Sequence, residues 1–274
     1  MKIAGLIIVV LAGAILLYAT QDFPPWGAPD SPASTHVSPR YLQKSMEETA
    51  VPNVVTSVLA DYRGFDTMFE TTVIFCAGIG CFALLRILRR KPEDRYYRHI
   101  ATEITLHLKG GKLPEKSREF ERIDTLWTPY DLIIKSMCRI LVPFIQLFAL
   151  YVIAHGHHSP GGGFQGGVIL GASMILVAIS YNMRTAIGRI SEKTYNLLMP
   201  TGVFIYAGIG TLCLILGANF LDYSGLSTIL FSGPIMARSH GIFGVEIGVG
   251  ITVMAVMISI YNNLASAGKQ DEGL

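Results

Sequence analysis

His155-Gly156-His157-His158-Ser159-Pro160-Gly161-Gly162-Gly163-Phe164-Gln165-Gly166-Gly167 lies between two apolar runs, Leu132 to Ala154 and Val168 to Ile179. Each run, with its flanks, is long enough to cross a bilayer, so this polar and glycine-rich stretch sits at a membrane boundary. Glycine lets backbones approach closely and accepts unusual backbone angles, and the five glycines from Gly161 to Gly167 predict a tight re-entry into the membrane. Gly161-x-Gly163-x-x-Gly166 also has the spacing of a dinucleotide fingerprint. That fingerprint needs a preceding strand in a βαβ unit, and here a membrane helix precedes it, so the match is rejected.

Working outward, the 274 residues are 51% hydrophobic and only 15% charged, with a formal net charge of +2. A soluble domain carries nearer a quarter charged residues (about 25%), so an integral membrane protein is expected. Cys76, Cys81, Cys138 and Cys213 fall in or beside apolar runs, without a Cys-x-x-Cys pair, and read as small buried hydrophobes. There is no phosphate loop, nucleophile elbow or basic stripe for nucleic acid.

Six spans are predicted: Ile3 to Ala19, Thr67 to Leu88, Leu132 to Ala154, Phe164 to Met183, Leu197 to Ala218 and Ile242 to Asn262. The first reads as a signal peptide, with Tyr18-Ala19-Thr20 a poor cleavage site, or as a retained signal-anchor helix, and retention is preferred because the n-region is weak and the run is long. Asp22 to Ala50, rich in Pro, Ser and Thr, reads as a loop with little intrinsic order. Val51 to Asp66 is too short to span and is expected to be a short helix at the interface. Pro92 to Tyr130 reads as a polar cytoplasmic segment with one or two surface helices. Eleven Lys and Arg residues lie between Arg86 and Arg122 and three between Arg184 and Lys193. Six helices with both termini cytoplasmic put these loops on one side. The expected fold is therefore an all-α integral membrane protein: about six transmembrane helices, an interfacial helix before the second, and a polar segment between the second and third.

Few ionisable groups lie near the spans. Asp66 and Glu70 are four apart and project from one face of a helix. Sharing a partly desolvated site they would repel, raising at least one pKa and permitting proton binding, and their oxygens also suit Na⁺. Asp61 and Arg63 are placed to pair nearby and tune such a site. The alternative is that Asp66 and Glu70 only complement the dipole at a helix start. Glu246 is the other intramembrane carboxylate, functional by default on grounds of cost; the alternative is a structural tie to His240 or Arg238. For His155, His157 and His158 the options are metal binding, proton relay, or hydrogen bonding within the fold, and hydrogen bonding is preferred for His157.

Two strings carry a family resemblance. Gly156, His157, Pro160, Gly161, Gly162, Gly163, Phe164, Gly166 and Gly167 match the Gly-His-x-x-Pro-Gly-Gly-Gly-Phe-x-Gly-Gly pattern of the B-type chain of Mrp-type multisubunit sodium/proton antiporters (the MnhB/MrpB family). Asn53-Val54-Val55, Asp61-Tyr62-Arg63-Gly64-Phe65-Asp66-Thr67 and Glu70 resemble the C-terminal end of the large A-type Mrp chain, and the small chain that corresponds to it in membrane-bound hydrogenases. Tyr62 replaces a phenylalanine there, and Glu246 stands where the B-type chains usually carry aspartate.

The resemblance implies a fused chain: an A-type segment over residues 1–91, a linker over 92–130 and a B-type membrane domain over 131–274. It implies a secondary-transporter component, not an enzyme, in the cytoplasmic membrane of a bacterium or archaeon, with Na⁺ and H⁺ transported and no cofactor. Asp66 and Glu70 match carboxylates implicated in cation transport. The implied partners are large complex I-like proton-pumping subunits, small helical subunits and membrane lipid, with no nucleic acid; a dimer of whole complexes is compatible with it. Two other readings stay open: a membrane module of an ion-pumping redox complex, and a purely structural scaffold.

Overall fold

A computed structural model describes residues 2–85, 95–108, 119–123, 132–181, 183–266 and 268. The basic cluster Arg86, Arg89, Arg90 and Lys91 lies outside the described residues, as do much of the linker and Asn182.

By contact the chain divides into two units, residues 1–45 and 46–274. The first holds α1 (Lys2–Ala19), whose apolar side chains are almost all exposed, as expected of a helix that meets lipid or a partner protein. A 3₁₀ turn at Thr20–Asp22 follows, then a π-turn at Ala33–Val37 running into α2 (Ser38–Thr49), whose last residues belong to the second unit. This helix corrects the expectation of an unstructured loop from Asp22 to Ala50. Pro39 falls in its first turn, where proline is tolerated, and Arg40, Leu42, Gln43, Lys44, Met46, Glu47 and Glu48 are good helix formers.

The second unit is organised around α10 (Pro234–Ala265), with proline at its first turn. It packs most heavily on α8 (Glu192–Ile215), α6 (Gly163–Ser180) and α4 (Gly64–Leu85), and α6 packs in turn on α5 (Leu132–Ala154). Small residues let these helices close on one another without bulk, the usual solution where no hydrophobic force separates helix from lipid. A Cβ on Gly202 of α8 would overlap the Gly248 carbonyl of α10, and one on Gly167 of α6 would sit 2.6 Å from the Gly250 carbonyl. Gln146 of α5 donates to Ser173 of α6 at 3.2 Å. The core centres on Tyr206, Tyr223, Ile242, Val245 and Val253, all buried.

Among the described residues six helices are long and apolar enough to cross a membrane: α1, α4, α5, α6, α8 and α10. The six spans stand as expected, with shifted ends. The fourth stops at Ser180, and Met183–Arg189 forms a separate short helix, α7. The fifth begins at Glu192, capped by the Ser191 side chain, which accepts from the Thr194 N–H at 3.2 Å. The sixth begins eight residues early, because Arg238, Ser239 and His240 are accommodated inside the helix. The turn at Tyr223–Leu226 and α9 (Ser227–Leu230) link α8 to α10.

Two local expectations are corrected. Val51 to Asp66 forms α3 (Val54–Ser57) and then a π-turn, Val58–Tyr62, in place of one interfacial helix. The described part of the polar segment is an antiparallel sheet, not surface helices: β1 (Arg95–His99), β2 (Thr105–Leu108) and β3 (Phe120–Ile123) in the order β2-β1-β3. Tyr and Thr favour the pleated conformation, and the rings of Tyr96 and His107, paired across β1 and β2, stack at 4.5 Å.

Candidate functional site: a buried carboxylate behind the glycine loop

The two family-like strings meet in space. Asn53 caps α3 by accepting from the Val55 and Thr56 N–H groups, as its residue type at a helix start predicts. Its amide nitrogen donates to the carbonyls of Gly156 and Ser159, both at 2.9 Å, and its backbone N–H donates to the His157 carbonyl, also at 2.9 Å. Thr56 Oγ1 adds a 2.8 Å bond to the Gly156 carbonyl. These carbonyls follow the end of α5 and have no intrahelical partners, so the N-terminal string satisfies the loop from another part of the chain.

Behind this loop stands Glu246 of α10, only 8% exposed. The backbone of Gly163, at the start of α6, lies against this residue, and its N–H and the helix dipole favour negative charge there. The second oxygen, Oε2, is buried with no hydrogen-bond partner. The triple glycine has a direct physical purpose here. A Cβ on Gly156 would lie 2.9 Å from Glu246 Oε2, a Cβ on Gly162 would overlap Oε1, and a Cβ on Gly163 would overlap the Glu246 carbonyl. Gly161, at φ +118°, makes the turn itself. The predicted tight re-entry is present, and it is tight because a carboxylate from α10 fills the space.

A cavity of about 670 Å³ opens on this group. Glu70, Asn53, Thr56, Thr67, His158, Ser159, Gln165 and Tyr206 supply its other polar side chains, with Val54, Leu59, Phe164, Val245 and Val249 among the apolar ones. Glu70 therefore shares a chamber with Glu246. The expected shared site of Asp66 and Glu70 is not what forms. Asp66 accepts from Arg63 Nε at 2.6 Å, both side chains are about half exposed (47% and 60%), and Asp66 is absent from the cavity wall. Asp66 thus sits in the first turn of α4 as a surface ion pair, the geometry of the helix-start alternative.

Arg63 does not pair with Asp61 as expected. Asp61, its side chain 6% exposed, faces Arg238 at 3.8 Å, and Arg238 reaches Asp222 at 3.4 Å. Burial pushes the Asp61 carboxyl up to about 6, against the pull of Arg238 and aided by Asp222 and Glu48. The alternative of a Glu246 tie to Arg238 or His240 is also corrected: Arg238 is engaged with Asp61 and Asp222 and lies eight residues, about 12 Å of helix, from Glu246, and His240 is exposed while Glu246 is buried. His157 approaches Ser239 Oγ with Nδ1 at 3.4 Å and meets Phe243 edge-on, while its Nε2 is buried without a partner. Burial, then His158 and His240, lower its pKa, so it stays neutral near neutral pH. Among the described residues no group of three His, Cys, Asp or Glu side chains is placed to hold a metal.

Two tyrosines that sequence reasoning passed over complete the site. Tyr206 donates to the Gly64 carbonyl at 2.9 Å and Tyr223 to the Ala60 carbonyl at 3.0 Å, bracketing the π-turn. A buried tyrosine hydroxyl needs a partner, and that requirement was the only signal available for them. Tyr206→Phe leaves the Gly64 carbonyl without this donor and is expected to cost about 1–3 kcal/mol. A lowered thermal midpoint of the purified whole complex checks this; an unchanged midpoint would show that water replaces the phenol.

One buried carboxylate, Glu246, on the wall of a chamber within a bundle of apolar helices defines a class: a multi-pass membrane protein with an ionisable group in its interior. The comparisons with known proteins narrow it. Residues 133–259 match the family described as a domain related to the MnhB subunit of Na⁺/H⁺ antiporter, and residues 4–98 match one described as the E chain of MBH, MbhE. The B chain of the Na(+)/H(+) antiporter of Bacillus subtilis is 30% identical over 117 residues, spanning 43% of this chain and 71% of that protein. The probable K(+)/H(+) antiporter A/B chain of Rhizobium meliloti is 23% identical over 232 residues, 82% of this chain but 22% of that one. This chain therefore belongs to the MnhB family of Na⁺/H⁺ antiporter subunits.

Among solved structures, a chain of the membrane-bound sulfane sulfur reductase, an archaeal respiratory membrane complex, superposes with a TM-score of 0.60 at 26% identity, covering 96% of this chain and 97% of that one. A chain of the Mrp complex from Dietzia sp. DQ12-45-1b gives 0.58 at 23% identity over 99% of this chain and 26% of its own length, a likeness of fold.

Proposed function

We propose that this chain is a membrane component of a multisubunit cation/proton antiporter and that it contributes part of the ion path through the Glu70–Glu246 chamber. The observation that carries the reading is Glu246: a carboxylate almost wholly buried inside a membrane bundle, close to the Gly163 backbone, with Oε2 left without a partner and free for a proton or a cation. An intramembrane carboxylate is costly, and one left half-satisfied in a built socket is better explained by function than by packing. The chain acts as a transporter component and not as a catalyst. Its partners are other subunits of the complex, of the large proton-pumping and small helical kinds, and Na⁺ and H⁺ are the transported species. We place it in the cytoplasmic membrane with both termini inside, the A-type segment at residues 1–91 and the B-type domain at 131–274 joined through 92–130.

Cation-dependent proton flux in inverted vesicles carrying the whole complex tests this. Glu70→Gln is expected to lower flux by about tenfold, the worth of one charge-assisted contact of ~1.5 kcal/mol, with assembly intact on a native gel. Asp66→Asn, which removes a surface pair worth no more than about 1 kcal/mol, is expected to leave flux within about fivefold of wild type. Equal loss in both variants would move the path to the start of α4. Loss of assembly in both would favour a scaffold.

The match to a respiratory membrane complex over nearly the full length supports a second reading, a membrane module coupled to a redox enzyme. Purification under mild detergent separates the two. A co-purifying protein with a redox centre supports the second, and its absence from an active exchanger supports the first.

A further inference from the structure

The Val58–Tyr62 π-turn divides two environments. Leu59 and Ala60 line the chamber, and the next residue, Asp61, is outside that wall and confronts Arg238. The wide turn leaves carbonyls that an α-helix would have paired, and side chains have been supplied for them. Thr67 Oγ1 donates to the Leu59 carbonyl at 2.7 Å and Tyr223 to Ala60 at 3.0 Å, while Tyr206 donates at 2.9 Å to Gly64, the first residue of α4 just beyond the turn. Such a turn, with side-chain donors at two of its carbonyls and a third at the helix start beyond it, is a built feature.

Asp61 is the least satisfied member of this assembly. Its Oδ2 is buried and has no hydrogen-bond partner, with Arg238 at ion-pair distance only. The charged and titratable groups around it are Arg238 from α10, Asp222 from the loop after α8, Glu48 from α2, and the phenols of Tyr206 and Tyr223. Arg238 is permanently charged, and it has Asp222 as a second anion. Against the cost of burial, hydrogen bonds from Ser224 and the charge of Arg238 hold Asp222 below the usual carboxylate range. Arg238 therefore keeps one firm partner whatever Asp61 does.

We propose that Asp61 is a proton-binding residue with Arg238 as its counter-ion, and that its neutralisation frees the π-turn and so alters cation binding in the chamber on the other side. A metal cation is the wrong ligand for Asp61, because the adjacent guanidinium repels it. A proton bonds to the carboxylate oxygen, removes the buried charge, and leaves Arg238 on Asp222. The sign follows from burial. The folded value of about 6 lies above the ordinary 3.8, so the fold favours protonated Asp61. That stabilisation is complete below the ordinary value and is lost as pH rises through about 6. The ionised turn is then held by Arg238, and proton uptake releases it. The coupling to cation binding rests on the antiport reading above; the proton site itself does not.

Infrared difference spectra of the purified whole complex, taken between neutral and acidic pH, read the site directly. A protonated-carboxyl band titrating near 6 is expected in wild type, lost in Asp61→Asn, moved but kept in Asp61→Glu, and shifted to higher pH in Arg238→Gln. Identical spectra for wild type and Asp61→Asn would overturn the proposal, and so would an unmoved band in Arg238→Gln. In vesicles, the apparent cation KM of wild type is expected to change at least about fivefold between acidic and neutral pH, the lower end of ordinary site-to-site coupling. Asp61→Asn should flatten that change, and a preserved pH dependence there would overturn the coupling. A titrating Asp61 in a complex that exchanges no cation would instead refute the antiport reading and leave the proton site standing.

Discussion

Replacing Glu246 with glutamine is expected to collapse cation-dependent proton flux while leaving the complex assembled. Glutamine has nearly the same shape, and its carbonyl oxygen can face the Gly163 backbone as the native carboxylate does. What it lacks is the charge and the ability to take up a proton at the open Oε2 position. A charge-assisted contact is worth ~1.5–3 kcal/mol, so flux should fall by about ten- to a hundredfold. Glu246→Asp keeps the charge but withdraws it by one methylene and is expected to retain part of the activity. The measurement is flux in inverted vesicles, with a native gel on the same samples. Wild-type flux in Glu246→Gln would remove this residue from the path and leave Glu70 or the partner subunits to carry it.

The second large effect is structural. Gly163→Ala should prevent α6 and α10 from closing, because the new methyl group overlaps the Glu246 carbonyl oxygen of α10, a backbone atom that cannot swing aside. Overpacking of side chains costs about 1–3 kcal/mol, and a clash with backbone exceeds that range. Little or no assembled complex is expected. Gly208→Ala is the matched control: it also lies in a membrane helix, but its Cβ would meet nothing within 4 Å. It should be neutral or slightly stabilising, since alanine is the better helix former. Equal behaviour of the two variants, measured as the amount of complex surviving a detergent and temperature ramp, would contradict the close approach of α6 to α10.

Both predictions turn on contacts between residues far apart in the chain, and here the limits of linear reading are plain. Asp66 and Glu70 share a helix face by spacing, yet spacing cannot say what stands opposite that face. Arg63 claims Asp66 at the surface, whereas Glu70, also exposed, lines a chamber that Glu246 lines too. Asp61 and Arg63, two apart, invited a local pair. The π-turn instead commits Asp61 to Arg238 of α10. A π-turn has no periodic signature in a short apolar stretch, so nothing in Val58-Leu59-Ala60-Asp61-Tyr62 announces it. The strands of the polar segment escaped for a similar reason: their mixed charges mask the pairing of Tyr96 and His107.

The membrane class, the six spans and the position of the re-entrant glycine loop were determined by sequence alone. The physical reason is that lipid imposes a length and a hydrophobicity on each helix independently of its neighbours. Which carboxylates are buried, which are ion-paired at the surface, and why three consecutive glycines are needed were decided only by tertiary structure. The burial of Glu246 and the need for glycines belong to the space between α6, α10 and the Asn53 hook, and that space does not exist until the helices have packed.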